Sequence, residues 1–168
     1  MKGRMIHWDR VVWEPWSLPK HCFVLWIAVL SKLRTKDRLH FILTDTSCVF
    51  YSQDQESHSH LFFKCPWTSN LWGNIVWWLH IHRRMSSLPS AIRGLFPKKV
   101  KIVSRMWRVS LAISVYLIWE ERSKRLFDSS SSSVERVFQW FQVLFFTVFH
   151  SHERDHFAID VGLWMVRL

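Results

Sequence analysis

The stretch KKVKIVSRMWRVSLAISVYLIWEERSKRLF, residues 98–127, contains neither glycine nor proline. Within it Ile102, Met106, Val109, Ile113 and Leu117 recur at spacings of three and four, the repeat of a single helix face. Trp107, Leu111 and Ile118 fall on a different side, so this helix is expected to be buried over much of its circumference. Pro97 suits the first helical position, because a proline there gives up only an N–H that has no partner in the helix. Lys98, Lys101, Arg105 and Arg108 follow one another at spacings of three, four and three and form a cationic stripe along the first half. Cations at a helix N-terminus oppose its dipole by about 0.3–1 kcal/mol each, so local helix stability does not explain them. The stripe reads either as a solvated face or as a set of phosphate contacts.

Downstream, Ser129 to Ser133 form a short low-complexity linker, and Ser132 with Glu135 has the spacing of a capping box. The following VERVFQWFQVLFFTVF is an amphipathic, aromatic helix, so 98–149 reads as a long helix pair and 150–168 as a His-rich tail. Upstream, 83–97 carries two prolines and a glycine and is the best internal boundary. Residues 8–18 are aromatic and irregular, Pro19 opens a buried helix, and Thr35 is placed to cap a short one. Residues 44–57 are polar and turn-forming, a loop or short hairpin, and 58–82 reads as one or two helices. The expected fold is mainly α: a small helical domain over 8–82 with an irregular Cys loop, then the helix pair.

Composition narrows the function classes. The 168 residues suffice for one domain with a real core, and 49% hydrophobic content with 12 Trp and 13 Phe excludes a disordered chain. A net charge of +10 points to an anionic partner, nucleic acid or a lipid surface. Three cysteines make no disulfide framework, and the opening MKGRMIHWDR lacks the apolar core of a secretory signal, so an intracellular setting is expected, the nucleus included. The longest apolar runs, Cys22 to Leu30 and the interrupted run from Val134 to Phe149, fall short of the roughly 20 residues of a membrane-spanning helix. No transmembrane segment is expected.

Cys48, His60 and Cys65 lie within CVFYSQDQESHSHLFFKC, residues 48–65. Zinc favours thiolate and imidazole in a tetrahedral shell. Cys48 and position 51 have the spacing of a first ligand pair, with His60 and Cys65 as the second. Position 51 is Tyr, whose phenol, with a pKa near 10, is a poor stand-in for a thiolate. His58, His40, Asp45 and Asp54 are the other donors within reach along the chain. A second string, His152-Glu153-Arg154-Asp155-His156, spells H-E-x-x-H, but neither His nor Glu follows to supply a third ligand. Sparse carboxylates, only four glycines and no G-x-S-x-G elbow leave no other catalytic chemistry, so an enzyme is not expected and no small-molecule substrate is assigned.

The residues around the Cys/His cluster form a recognisable pattern. Cys48, Glu56, His60, Leu61, Phe62, Phe63, Cys65 and Trp72 resemble the Cys-x-x-Cys, Glu, His-Leu-Phe-Phe-x-Cys and Trp positions of the zinc-binding domain found in plant non-long-terminal-repeat retrotransposon reverse transcriptases. Trp13, Pro19, Lys20, Phe23, Trp26, Leu33, Thr35, Arg38 and Leu39 match upstream positions of the same pattern. Ile118, Trp119, Glu121, Arg122, Arg125 and Phe127 are similar to its Ile-Trp-x-Glu-Arg-Asn-x-Arg-x-Phe segment. Two departures stand out: Tyr51 in place of the second Cys, and Ser123 in place of Asn. The resemblance implies a zinc-binding accessory module associated with nucleic acid, RNA or DNA without sequence preference, or a degenerate remnant of one. Phosphate contact is assigned to Arg83, Arg84, Lys98, Lys101, Arg105 and Arg108, with exposed aromatics for base stacking. The alternative is a helical module that docks on a protein or membrane surface without metal or nucleic acid.

Overall fold

In the computed structural model the described residues are 8–39, 41–42, 44–81, 85–94 and 101–152, with the side chain of residue 101 also outside them. They form six α-helices: α1 Asp9–Val12, α2 Pro19–Val29, α3 Pro66–Trp78, α4 Leu88–Gly94, α5 Lys101–Phe127 and α6 Val134–His152. A 3₁₀ turn spans Lys36–Leu39 and a π-helical turn His60–Lys64. Among the described residues there is no strand, and one antiparallel bridge, Ser47 with Gln55, closes a narrow tongue that carries Cys48. The mainly helical reading and the hairpin-like Cys loop therefore hold.

The long gapless segment forms α5, with Met106, Val109, Leu111, Ile113, Leu117 and Ile118 all buried. α2 lies along it, α3 packs on α6, and α5 touches α6, so one continuous core joins the first half of the chain to the second. Phe141, Phe145 and Phe149 of α6 are fully or almost fully buried, and each ring of that size contributes about 1.5–3 kcal/mol by leaving water. Trp78 meets Phe141 and Phe145 edge-on, at centroid distances of 6.0 and 5.3 Å, the arrangement the ring quadrupole favours.

Several local expectations are corrected. The aromatic opening contains the one-turn helix α1. Thr35 starts a 3₁₀ turn rather than an α-helix. The proline-bearing stretch 83–97 contains α4, because Ser87 accepts from the Ala91 N–H through its carbonyl and from the Ser90 N–H through its hydroxyl, and Leu88, Ala91 and Ile92 face the core. The cap of α6 is Ser133, one residue later than the capping box placed it, with the Arg136 N–H donating to its Oγ at 3.3 Å. Pro97 lies outside the described residues. By length and composition 102–127 does qualify as long and apolar enough to cross a membrane, which a search for uninterrupted apolar runs overlooks; 56% of its apolar window is buried inside the protein. Its burial against α2 and α6 gives that composition a core role.

α2 and α3 end at Ser31 and His80, both in the left-handed region with φ 52°, and Ser129 just beyond α5 has φ 49°. Lys32 N–H donates to the Ile27 carbonyl, and Ile81 N–H to that of Val76, closing the wide turn that finishes a helix in this way.

Candidate metal centre

The site begins with the unusual turn before α3. Over His60–Lys64 the backbone widens, and the Cys65 N–H donates to the His60 carbonyl at 2.8 Å, five residues back. Trp72 secures this turn by donating from Nε1 to the Phe62 carbonyl at 2.7 Å, and its ring stacks on Phe63. Cys65 precedes Pro66 and is accordingly extended, φ −63° and ψ 134°. It sits at the N-cap of α3, and the backbone N–H groups of Trp67 and Thr68 point to its sulfur.

The tongue supplies the other sulfur. Cys48 N–H donates to the Asp54 carbonyl at 2.8 Å, Glu56 N–H to that of Thr46 at 2.9 Å, and the N–H groups of Phe50 and Tyr51 point at Cys48 Sγ. Cys48, His60 and Cys65 are all buried, and one ligand atom from each lies within 4.8 Å of the other two. The sulfurs are 3.9 Å apart and both thiols are free. Two sulfurs about 2.3 Å from one tetrahedral ion would lie about 3.8 Å apart. His60 Nε2 is buried without a hydrogen-bond partner, while Nδ1 lies 4.0 Å from Asp54 Oδ2, a carboxylate–imidazole contact of the kind that orients metal-binding histidines. Donor type, sulfur spacing and the orphaned nitrogen all fit zinc. Cys65 is the sulfur that ionises first, held down to about 6 by the bond from Cys48, the α3 N–H groups and the Arg125 charge; Cys48 is pushed up by that same bond and by burial.

Tyr51 is not part of the cluster. Its side chain is 37% exposed and its hydroxyl donates to Gln53 Oε1 at 2.8 Å. The other proposed donors do not complete the shell either: Asp45 binds Lys36 and the Ser47 N–H, Asp54 reaches only the His60 ring, and His58 packs on Phe62. His40 lies outside the described residues. Among the described residues the ligand set is three.

Sequence reasoning quoted the residues that hold this site in place but gave them no role. Glu56 is fully buried; its Oε1 accepts from Arg122 Nη2 at 2.8 Å, Arg122 Nε at 3.2 Å and the Lys36 N–H at 2.9 Å. Arg122 also donates to the Arg34 carbonyl at 3.3 Å. Phe50 and Trp67, each two residues past a ligand cysteine, stack at 4.4 Å, and Arg125 lies over both rings at 4.9 and 5.2 Å. Arg125 is fixed by Glu121 and the Ser132 carbonyl. The Glu-Arg and Arg of the segment beyond the cysteines thus grip the metal loop from α5.

The cationic stripe has a different setting. Arg108 Nε donates to Glu14 Oε2 at 2.6 Å, and Arg105 Nε is 2.9 Å from Glu14 Oε1, a charge contact poorly aligned for a hydrogen bond. Arg105 also lies 4.5 Å over the Trp16 ring. Glu14, which sequence reading passed over, is therefore the counter-charge of Arg105 and Arg108. Arg83, Arg84, Lys98 and the Lys101 side chain lie outside the described residues, as do Glu153 to His156. His152, the first residue of the H-E-x-x-H string, ends α6 stacked on Trp16.

Residues 1–72 match the family described as zinc-binding in reverse transcriptase. Cys48, His60 and Cys65, the three candidate ligands, fall inside that match, whereas Arg122 and Arg125 lie beyond it. No curated protein and no solved structure matches the chain.

Proposed function

We propose that the chain is a non-catalytic, nucleic-acid-associated module in which a zinc ion on Cys48, His60 and Cys65 fixes the tongue and the start of α3. The observation that carries this reading is the convergence of the three ligands within the segment that matches the zinc-binding family. Bound zinc would act structurally, cross-linking the 47–56 tongue to the turn before α3; Asp54 orients the His60 ring, and Glu56, Arg122 and Arg125 hold the loop.

The net charge of +10 supports an anionic partner. Arg83, Arg84, Lys98, Lys101, Arg105 and Arg108 remain the proposed phosphate contacts, with Arg105 and Arg108 sharing one carboxylate and so keeping one positive charge between them. Lys32, Arg34 and Arg38 are exposed on the connection between α2 and the tongue, beside the opposite end of α5 from Arg105 and Arg108, and add cationic groups there. An intracellular setting, the nucleus included, belongs to the same proposal. Fluorescence anisotropy with a labelled single strand and a duplex tests it. Six phosphate contacts predict an affinity loss of about 10²–10³-fold between 50 and 200 mM salt, and a flat response contradicts the electrostatic mechanism.

A second reading has its own observation. Trp13 and Phe23 are each about half exposed beside Trp26, at ring distances of 6.2 and 5.9 Å, an aromatic surface suited to a protein or membrane partner. Flotation with neutral vesicles in the absence of nucleic acid would favour it. Tyr51 in place of a fourth ligand is also what a degenerate remnant would carry, and in that case the refolded chain retains neither zinc nor nucleic acid.

A further inference from the structure

Among the described residues the candidate metal centre has three protein donors. The N–H of Tyr51 points at Cys48 Sγ, so the turn from 48 to 51 still wraps the cluster, while the Tyr51 side chain leaves it for Gln53 and solvent. Asp45, Asp54 and His58 are engaged elsewhere, as described above. Zinc held by three protein ligands keeps its fourth place for water or an external donor.

We infer that this fourth place is an exchangeable site for a low-molecular-weight thiol, which restores the sulfur donor that Tyr51 does not provide. The inference rests on the metal-centre reading given above. Two thiolates and a neutral imidazole balance the charge of a divalent ion, so a third thiolate leaves the centre with one negative charge. Arg125, whose guanidinium covers Phe50 and Trp67, is the cation beside the cluster, and its pairing with Glu121 at 2.8 Å leaves it to offset that charge only in part. A soft sulfur donor is favoured over a carboxylate at a sulfur-rich zinc site. Tyr51, Asp54 and Ser59 around the cluster are exposed while its three donors are buried, so entry of the thiol requires that rim to move aside. In the exchange the incoming S–H loses its proton to the buffer, the sulfur bonds to the metal, and the bound water departs; no atom changes oxidation state.

The test uses the full chain, kept reduced with a phosphine, loaded with Co²⁺ and titrated with 2-mercaptoethanol. The expected result is a saturable rise of about half in the thiolate-to-cobalt charge-transfer absorption, as three sulfurs replace two. Tyr51→Cys should show the higher absorption from the start and no response. Zinc-edge X-ray absorption on the unsubstituted chain gives an independent reading that needs no variant, with sulfur neighbours rising from two to three. Cobalt bands that ignore the thiol, or an equal response in Tyr51→Cys, overturn this inference alone. Absence of any cobalt band in the thiol-free chain overturns the metal-centre reading as well.

Discussion

The two ends of α5 use the same chemistry to different effect. Near its start Arg105 and Arg108 meet a single carboxylate, Glu14, and their side chains are 36% and 18% exposed. Near its end Arg122 meets Glu56 with side-chain exposures of 3% and 0%, a pair that ties α5 to the tongue that carries Cys48. An arginine that keeps water can lose its partner and rehydrate, whereas one taken out of water cannot. The first end is therefore a surface whose charge can be shared with a ligand, and the second braces the tongue that carries one of the candidate metal ligands.

The strongest way to break this contrast is Arg122→Met. It leaves Glu56 buried and unpaired, and equilibrium denaturation should show a loss of about 3–5 kcal/mol together with weakened cobalt binding. Glu14→Gln should cost less, about 1–2 kcal/mol, because Arg105 and Arg108 remain partly hydrated. The same substitution should tighten nucleic-acid binding and steepen its salt dependence; equal stability losses at the two ends would erase the distinction.

His21 refines the picture near the first end. It is fully buried on α2 against the Tyr116 ring, neither ring nitrogen has a partner, and its pKa is lowered to about 4 by burial and then by Lys20. Since the folded value lies below the ordinary 6.5, the unfolded chain takes up the proton more readily. Its stabilisation is complete above pH 6.5 and is lost as the pH falls towards 4. Subtracting the stability profile of His21→Asn from that of the parent chain should isolate this acid limb, and a difference that does not change with pH would contradict it. The smallest effect is at Ser31, whose φ of 52° suits glycine; Ser31→Gly should stabilise by about 0.5–1 kcal/mol in the same denaturation assay.

α5 was legible because its apolar residues keep one period over the whole segment, and the three metal ligands because their types and spacing are rare together. What closes the site was harder to read. Glu56 and Arg122 are 66 positions apart, and no local pattern announces that a buried carboxylate and a distant guanidinium will meet; only their joint presence in the family pattern hinted at it. Glu14 escaped notice for the same reason, being paired 94 positions away. The helix within 83–97 was hidden because prolines and a glycine read as a break, whereas Pro89 falls in the first turn of α4 and Gly94 at its end, positions where helices accept them.

The central claim is that Cys48, His60 and Cys65 form a zinc centre that the fold holds together. Thermal denaturation of the full chain with and without zinc addresses it most directly. At a zinc concentration about 100 times the dissociation constant, the account predicts a stabilisation of about 2.7 kcal/mol, a rise in Tm on the order of 5–10 °C, abolished by Cys65→Ser. An identical Tm with and without zinc, in a chain that is folded and reduced, would contradict it.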